Sequence, residues 1–544
     1  MKKILWTLGA LLLLGVISIF VIEQWLAKNL EDRVNSNEER AYDLTFEEVN
    51  VQLFRRSIEL KQISLSPRKT DLPSTIRGTM TSTRLGGVNI LGILFGDVLE
   101  IQELKFEEPK FVFTKIDSVA RKPTDISDAF QGLFGDIISR GVIHNVVLNN
   151  GCGEFFTKSD SLTKFGSFDN FNISAVDLET DSVRLNYAIP FKLKSISSSL
   201  KNLHLQLDEE LSFSLGGFSF DSDADAFDLR DLKLAYEDSN LEAAIRSDVQ
   251  KDFIEIDVKH LKIEQISARS SIYGNWSVVA GLITIDSLNL HDLRNKNKPR
   301  PVDEPEKPMF EGMVELIPFP LEVDTIRVLN SQITYAQISE GKTKPGSLNF
   351  ENLSAEITHV VSLDSLQSGE MLIHGEAILN GFAPMRMDVT VPYTREEGKE
   401  NFQLKASVDP FGLPSLNNIL GDLVSVNITS GSMEKLEITM DANEYASSNF
   451  MKFDYQELKL ELKDEQEEKK KFMSTLSNIL ISNNNLPENR NYKTATFQTE
   501  RNIYRGTFNL IWESLREGML EIAPGDLMQL IMGEQDPSDG GKRR

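Results

Sequence analysis

The chain has 544 residues, of which 40% are hydrophobic and 26% charged, and it carries a formal net charge of -24. This length exceeds that of a usual single domain, so several domains or one extended array are expected. The acidity argues against a nucleic-acid partner, because phosphate binding needs clustered Lys and Arg, and also against broad adhesion to an anionic membrane surface. The single cysteine, Cys152, can form no intramolecular disulfide, so the fold depends on its core and its ladders.

Residues Ile4 to Ile22 form an unbroken run of nineteen uncharged residues, ILWTLGALLLLGVISIFVI. A helix of this length, rising ~1.5 Å per residue, spans the ~30 Å hydrocarbon layer of a bilayer. Lys2 and Lys3 precede the run, which by the positive-inside rule keeps the N-terminus cytoplasmic and exports the body. Trp6 and Trp25 lie at the two edges of the run and are expected to anchor it at the membrane surfaces.

A cleaved signal peptide is the alternative to this signal anchor. Such a peptide has a shorter apolar core and small residues before the cut. Here the sequence continues as EQWLAK without an A-x-A site, which favours an uncleaved anchor with its helical extension over residues 1–37. No other segment is apolar over a comparable length, so the chain is predicted to cross the inner membrane once.

From about Tyr42 the hydrophobic period changes from helical to two. Between Val183 and Leu193 the odd-numbered residues are apolar and polar residues lie between them, which indicates a strand with one face in water.

A second pattern, apolar-x-apolar-x-x-apolar-x-apolar, recurs along the body. A strict period of two would send the second apolar pair to the other face, so the middle residues are predicted to form a bulge or a corner. Many bulges would give a strongly curved sheet. The copies begin at Ile58, Leu99, Phe171, Phe213, Phe227, Ile256, Ile283, Leu321 and Phe453. The predicted bulges include Lys61-Gln62, Gln102-Glu103, Gly216-Gly217, Arg230-Asp231 and Asp286-Ser287.

Helical patterns are few. After the N-terminal segment, helices are predicted near Asp125–Arg140, Leu413–Leu423, Lys463–Ile481, Phe508–Gly518 and Asp526–Met532. They cannot cover the apolar face of roughly twenty-five strands, so another sheet, closure of the sheet on itself or a foreign apolar molecule must do so. The predicted fold is mainly β with a few helices: an N-terminal transmembrane helix followed by an elongated, curved antiparallel sheet.

The proline- and charge-rich segment Asn295 to Pro308 cannot lie inside a sheet and is predicted to be a linker or a long loop. The expected organisation is a first β part at 38–294, this linker or loop at 295–309, a second β part at 310–462, helices and terminal strands at 463–533, and a polar, disordered tail at 534–544.

Three segments of the body share a family-like layout: LTFEEVNVQLFRRSIELKQISLSP at 44–67, ILGILFGDVLEIQELKFEEPKFVFTK at 90–115 and LNNILGDLVSVNITSGSMEKLEITMDANEYASSNFMKFDYQELKLEL at 416–462. They resemble segments of the AsmA-like family of Gram-negative envelope proteins, relatives of TamB and of the bridge-like lipid-transfer proteins. The likeness is one of apolar pattern and layout, following a signal anchor. It implies a β-groove with an apolar interior that accepts acyl chains, and a role in lipid movement or envelope homeostasis between membranes.

The sequence contains no recognisable catalytic or metal-binding motif. The histidines are scattered, without H-E-x-x-H or a Cys/His cluster, and G-x-S-x-G, Walker A and G-x-G-x-x-G are absent. The acidic run Asp221–Asp225 starts like a calcium loop, but Ala226 and Leu232 stand where Gly and Glu are needed. The chain is therefore predicted not to be an enzyme and to need no cofactor.

Together these patterns predict an inner-membrane protein whose periplasmic body binds or conducts phospholipid or other acyl chains in support of the outer membrane, with a periplasmic or outer-membrane protein as a further partner. An envelope scaffold with a closed, packed β core is the alternative. The lipid-facing side chains are predicted to be Phe171, Ile173, Phe213, Leu215, Phe218, Phe220, Phe227, Leu229, Ile283 and Ile285.

Overall fold

The structure is a computed structural model that describes residues 2–35, 42–68, 74–89, 99–116, 141–159, 161–180, 192–270, 276–317, 319–362, 367–394, 399–417, 426–462 and 484–523. The side chains of 2–15, 33, 34, 99, 141, 180, 268–270, 276, 426 and 460–462 lie outside this description. The chain forms two compact units, which consist of residues 1–232 with 264–277 and of residues 233–263 with 278–544. The predicted division at 295–309 stays a prediction.

The fold is mainly β, as the hydrophobic patterns predict. The helices of the described residues are α1 Lys2–Val34, α2 Asn240–Arg246, α3 Phe310–Glu315 and α4 Thr507–Ile522. The strands are β1 Tyr42–Thr45, β2 Glu48–Gln52, β3 Ser57–Pro67, β4 Ser74–Gly86, β5 Leu99–Glu107, β6 Lys110–Ile116, β7 Gly141–Lys158, β8 Leu162–Thr180, β9 Ser195–Gln206, β10 Leu211–Asp221, β11 Ala226–Tyr236, β12 Asp252–Glu264, β13 Ser267–Ser270, β14 Trp276–Asn295, β15 Leu321–Ile338, β16 Gly346–Val361, β17 Glu370–Leu379, β18 Ala383–Pro392, β19 Asn401–Val408, β20 Phe411–Gly412, β21 Val426–Asn443, β22 Ala446–Leu462 and β23 Ala495–Glu500.

The predicted helices meet different outcomes. Helix α1 confirms the helix expected to continue from the apolar run, and α4 confirms the one expected from Phe508, which it extends to Ile522. The helix predicted at Leu413–Leu423 begins with a single 3-10 turn at Leu413–Leu416, and its later part lies outside the described residues. The predictions at 125–140, 463–481 and 526–532, and the alternating residues 183–191, also lie outside them.

Within the described part of the chain, no helix has the length and apolarity needed to cross a membrane.

Antiparallel pairing dominates both units. In the first unit, β1 and β2 lie end to end along β3. Strands β5 and β6 lie end to end between β4 and β7. They run antiparallel to β4 and parallel to β7. Strands β7 to β10 then form an antiparallel meander. In the second unit β14 pairs in parallel with β15, β15 to β19 form a meander, and β19, β21, β22 and β23 continue it.

Residues with a left-handed backbone keep the apolar side chains of the long strands on one face. Leu60 and Ile63 are both buried on either side of Gln62, whose φ is 50°. Tyr455 and Leu458 are buried on either side of Glu457, whose φ is 52°. Sixteen such non-glycine residues occur in the described chain and nine are Asn or Asp, the types that tolerate this conformation best.

The predicted bulges are thus partly corrected. At Lys61-Gln62 and Asp286-Ser287 the pairing register continues without an inserted residue, and the left-handed Gln62 and Ser287 change the side-chain phase instead. Opposite Gly216 the left-handed residue is Asn202 of the neighbouring strand. Register shifts of the bulge type do occur elsewhere, as in β7–β8, β15–β16 and β21–β22.

Candidate functional site

An apolar surface of the first unit is built by cross-strand partners, which share one face of a sheet. One row of partners consists of Val49, Leu60, Thr83, Phe106, Leu148, Ile173, Ser198 and Phe220. The row beside it consists of Val51, Ile58, Leu85, Leu104, Val146, Ala175 and Ile196. These two rows define the first apolar face.

The opposite face of the same strands is polar. The row between the two apolar ones consists of Asn50, Glu59, Arg84, Lys105, Val147, Ser174, Ser197 and Asp221. Only Val147 in this row is apolar. A sheet with such alternation has one side in water and needs cover for the other side alone.

Helix α1 covers the beginning of the first apolar face. Leu26 and Leu30 of α1 pack with Ile58 and Leu60 in one hydrophobic cluster, and Leu60 is only 6% exposed. Farther along the same row, Phe106, Ile173 and Phe220 are half-buried. No helix within the described ranges joins the hydrophobic cluster of β5, β7 and β8. Within the described part of the chain, helical cover of this face is therefore limited to α1, although Leu148 in the same row and Ala175 in the row beside it are also buried.

A cluster of phenylalanine rings lies beyond the left-handed residues of β7 and β8. The Phe113 and Phe155 rings stack with their centroids 5.1 Å apart, Phe155 lies 5.8 Å from Phe168, and Phe168 lies edge-on to Phe171 at 5.8 Å. Gly153 makes room for them, since a Cβ atom there would lie 2.3 Å from the Phe168 ring. The cluster continues the first apolar face along the strands.

The structure places two of the predicted lipid-facing residues, Ile173 and Phe220, in the first row of this face, and six others on the same or neighbouring strands. Phe171 and Ile173 lie on β8, and Ile173 and Phe220 are both partners of Ser198. Phe227 of β11 stacks on Phe220 with centroids 4.4 Å apart and lies 5.5 Å from Phe218. The remaining predicted lipid-facing residues of the first unit are Phe213 and Leu215 on β10 and Leu229 on β11. Leu215 is 5% exposed, and the other seven are half-buried.

The second unit repeats the arrangement with the two other predicted residues, Ile283 and Ile285. Ile283 heads the row Ile283, Ile326, Ile357, Ile373, Val389, Leu404, Met440, Asn449 and Phe497. Ile285 heads the row Ile285, Val328, Ala355, Gly375, Met387, Ala406, Ile438, Met451 and Ala495. These rows define the second apolar face.

The opposite face of the second unit carries paired charges. Arg327 Nε lies 3.0 Å from Glu356 Oε2, and His374 Nδ1 lies 2.7 Å from Asp388 Oδ1, across neighbouring strands. Such exposed pairs contribute little to stability, about 0–1 kcal/mol each, but their polar groups favour contact of this face with water. The apolar side is again the only one that needs cover.

Helices cover two margins of the second apolar face. Helix α4 places Met519 and Ile522 over Met451, which is fully buried. Phe310 of α3 lies edge-on to Phe402 of β19 with ring centroids 5.2 Å apart. On the strands that precede β18, the isoleucines of β14 to β17 in the first row are half-buried, whereas Val389 and Leu404 of the same row are buried.

No family model and no curated protein matches this chain. The chemistry of the two apolar faces is therefore inferred from their own residues, which are mostly aliphatic or aromatic and uncharged. Within the described ranges, no group of His, Cys, Asp or Glu side chains is arranged to hold a metal ion.

One buried charged group lies near the end of β14. Burial and the neighbouring Asp252 raise the pKa of Asp292 to about 6, and Asp292 Oδ1 makes no hydrogen bond. Arg294 binds Asp252 through Nε at 2.6 Å instead. Asp292 is thus a source of pH dependence of stability.

Sequence reasoning missed most of the second apolar face. Ile373 and Val389 belong to it, but β17 and β18 do not carry the recurring pattern. The signal that could have found them is plain alternation, as in Met371, Ile373 and Gly375. Leu148 of the first face was missed for a different reason, since only its pairing with Phe106 and Ile173 reveals its position.

Proposed function

We propose that this protein binds the acyl chains of phospholipids on its two apolar faces. The observation that carries the proposal is a change of cover along one row: Leu60 is buried under α1, whereas Ile173 and Phe220 are half-buried. Neighbouring apolar side chains that stay partly exposed are unfavourable in water and typically mark a binding surface. Each methylene that a bound acyl chain buries contributes ~0.8 kcal/mol.

The finer architecture belongs to the same proposal. An elongated, curved β-groove is supported by the left-handed residues and register shifts, because both bend and twist strands. The resemblance of residues 44–67, 90–115 and 416–462 to AsmA-like proteins supports it as well. The apolar run Ile4 to Ile22 supports an inner-membrane anchor with the body in the periplasm, where the bound lipid would serve outer-membrane homeostasis.

Photo-crosslinking in cells tests lipid binding directly. A photoreactive amino acid is placed at Phe220 or Ile373 on the apolar faces, or at Ser219 or His374 on the polar faces of the same strands. We expect phospholipid adducts in the mass spectra of the first two proteins and none in those of the other two. Phospholipid adducts absent at both apolar positions, with the protein folded, would refute the proposal.

The covered margin provides an internal control. Met451 lies on the second apolar face but under α4, so a crosslinker there should give no lipid adduct. If positions 220 and 373 behave like position 451, both faces are closed by the chain's own side chains. The envelope scaffold with a packed core would then be the better description.

A further inference from the structure

Four hydrogen bonds fasten the C-terminal half of α1 and the following Asn35 to the segment Leu44–Leu53, which contains β2 and the end of β1. The Leu53 N–H donates to Glu23 Oε1 at 2.8 Å, and the Phe46 N–H donates to Glu31 Oε2 at 3.3 Å. Asn35 and Leu44 exchange two bonds, of 3.0 and 2.7 Å. Successive helix residues thus contact successively earlier strand residues, so α1 lies antiparallel along β2 and β1.

The hydrogen bond between Leu53 and Glu23 fixes the position of the turn Leu53–Arg56 along the normal of a bilayer that α1 crosses. Glu23 is the first charged residue after the apolar run, and a carboxylate does not remain in the hydrocarbon layer. The nineteen residues before it span ~28 Å as a helix, which fills that layer. The turn that binds Glu23 therefore lies level with the membrane surface wherever α1 crosses the membrane.

The side chains of this turn suit that position. Phe54 is 78% exposed, although it is a large apolar residue, and Arg55 and Arg56 are exposed beside it. Trp25, on the helix next to Glu23, is 48% exposed. No acidic residue occurs between Gln52 and Ile58, so this short segment itself carries two positive charges in a chain whose net charge is -24.

We propose that the turn Leu53–Arg56 docks on the phospholipid bilayer from which α1 emerges. Phe54 enters the interfacial region, and Arg55 pairs with a lipid phosphate, which a guanidinium group binds through two nitrogen atoms. Arg56 donates from Nε and Nη2 to the carbonyl oxygens of Val88 and Gly87 and adds its positive charge beside Arg55. Docking holds β2 and β3, where the first apolar face begins, against the membrane. This proposal rests on the membrane anchor of the proposed function but not on lipid binding by the faces.

Depth-dependent quenching tests the docking. In the full-length protein with Cys152→Ser, single cysteines replace Ile17, Phe54 or Leu207 and carry an environment-sensitive fluorophore. Leu207, in the turn between β9 and β10, is 54% exposed and serves as the matched aqueous control. The proteins are reconstituted in vesicles of phosphatidylethanolamine with phosphatidylglycerol that contain lipids with a quencher on the acyl chain.

We expect strong quenching at position 17, quenching at position 54 several-fold above that at position 207, and a blue-shifted emission at position 54. Reversing the charge of both Arg55 and Arg56 to Glu should lower quenching at 54 and leave that at 17 unchanged. Position 54 behaving like 207 while 17 is quenched overturns the docking and leaves the anchor. No quenching at position 17 overturns both, and the crosslinking at Phe220 reports on lipid binding independently of either result.

Discussion

Phe220 of β10 and Phe227 of β11 stack on each other with ring centroids 4.4 Å apart, and neither ring is fully buried. A charge at position 220 would therefore meet an apolar surface that water or lipid can reach. We expect Phe220→Glu to lower the yield of bound phospholipid and to reduce the free energy of unfolding by only about 1–2 kcal/mol. Lipid analysis and urea denaturation of the same preparations check this.

The control for Phe220→Glu is Ser219→Glu, which places the same charge on the polar face of β10. That variant should retain wild-type lipid content. Loss of folding in Phe220→Glu, with no stable protein recovered, would indicate a packed core at this position instead of an accessible face.

Leu60 and Ile173 occupy the same cross-strand row, but only Leu60 lies under α1. Removing a side chain from a packed site costs its transfer free energy and leaves a cavity, about 2–5 kcal/mol in total. We expect Leu60→Ala to destabilise the protein by this amount and Ile173→Ala by about 1 kcal/mol. Equal losses in chemical denaturation would show that both positions are packed alike.

Asn202 adopts φ of 53° in the middle of β9, opposite Gly216. A β-branched side chain in this left-handed region is strained, so Asn202→Val should lower stability by about 1–2 kcal/mol. Asn202→Gly adopts the same conformation without strain and should change stability by less than about 1 kcal/mol. Thermal or urea unfolding compares the two, and a neutral Asn202→Val would contradict the need for the left-handed residue.

Gly518 lets α4 approach the second apolar face closely. A Cβ atom there would lie 2.3 Å from Met451 Sδ and 2.8 Å from the Phe497 ring. Gly518→Ala should therefore destabilise the protein by about 1–3 kcal/mol, although alanine favours helix formation. Gly506→Ala, at the start of α4 with open space around it, is the control and should change the urea midpoint little.

Asp292 predicts a pH dependence with a definite sign. Its pKa of about 6 in the folded protein exceeds the unfolded value of about 3.9, so the folded state binds the proton more tightly. The contribution of this group to stability is therefore lost as the pH rises from about 4 to about 6. Asp292→Asn should stabilise the protein at pH 8 by up to about 3 kcal/mol.

Urea denaturation at two pH values checks this. The advantage of Asp292→Asn should become small near pH 4 and disappear near pH 3, where Asp292 is protonated in both states. Asp223→Asn, in an exposed turn, should behave like the wild type at both pH values. An advantage that persists at low pH would show that the charge of Asp292 is not the cause.

Local periodicity alone identifies the mainly β character, α1 and α4. The alternation around Phe213 and Phe220, and the stripe from Phe508 onward, are properties of neighbouring residues and need no knowledge of the rest of the chain. The short helices α2 and α3 give too brief a periodic signal to be recognised. In the sequence, a left-handed residue such as Gln62 is visible only as a shift in the alternation of apolar and polar residues. The sequence does not show that the shift arises from a left-handed backbone.

The tertiary structure decides which apolar positions are covered. Leu60, Phe106, Ile173 and Phe220 read alike in the sequence, but pairing places them in one row and Leu26 of α1 covers only the first. Cover depends on contacts between residues far apart in the chain, which hydrophobic periodicity does not encode. The alternating residues therefore determine that each unit has an apolar face, and the packing of α1 in the first unit and of α4 in the second determines which of its described positions lie under a helix.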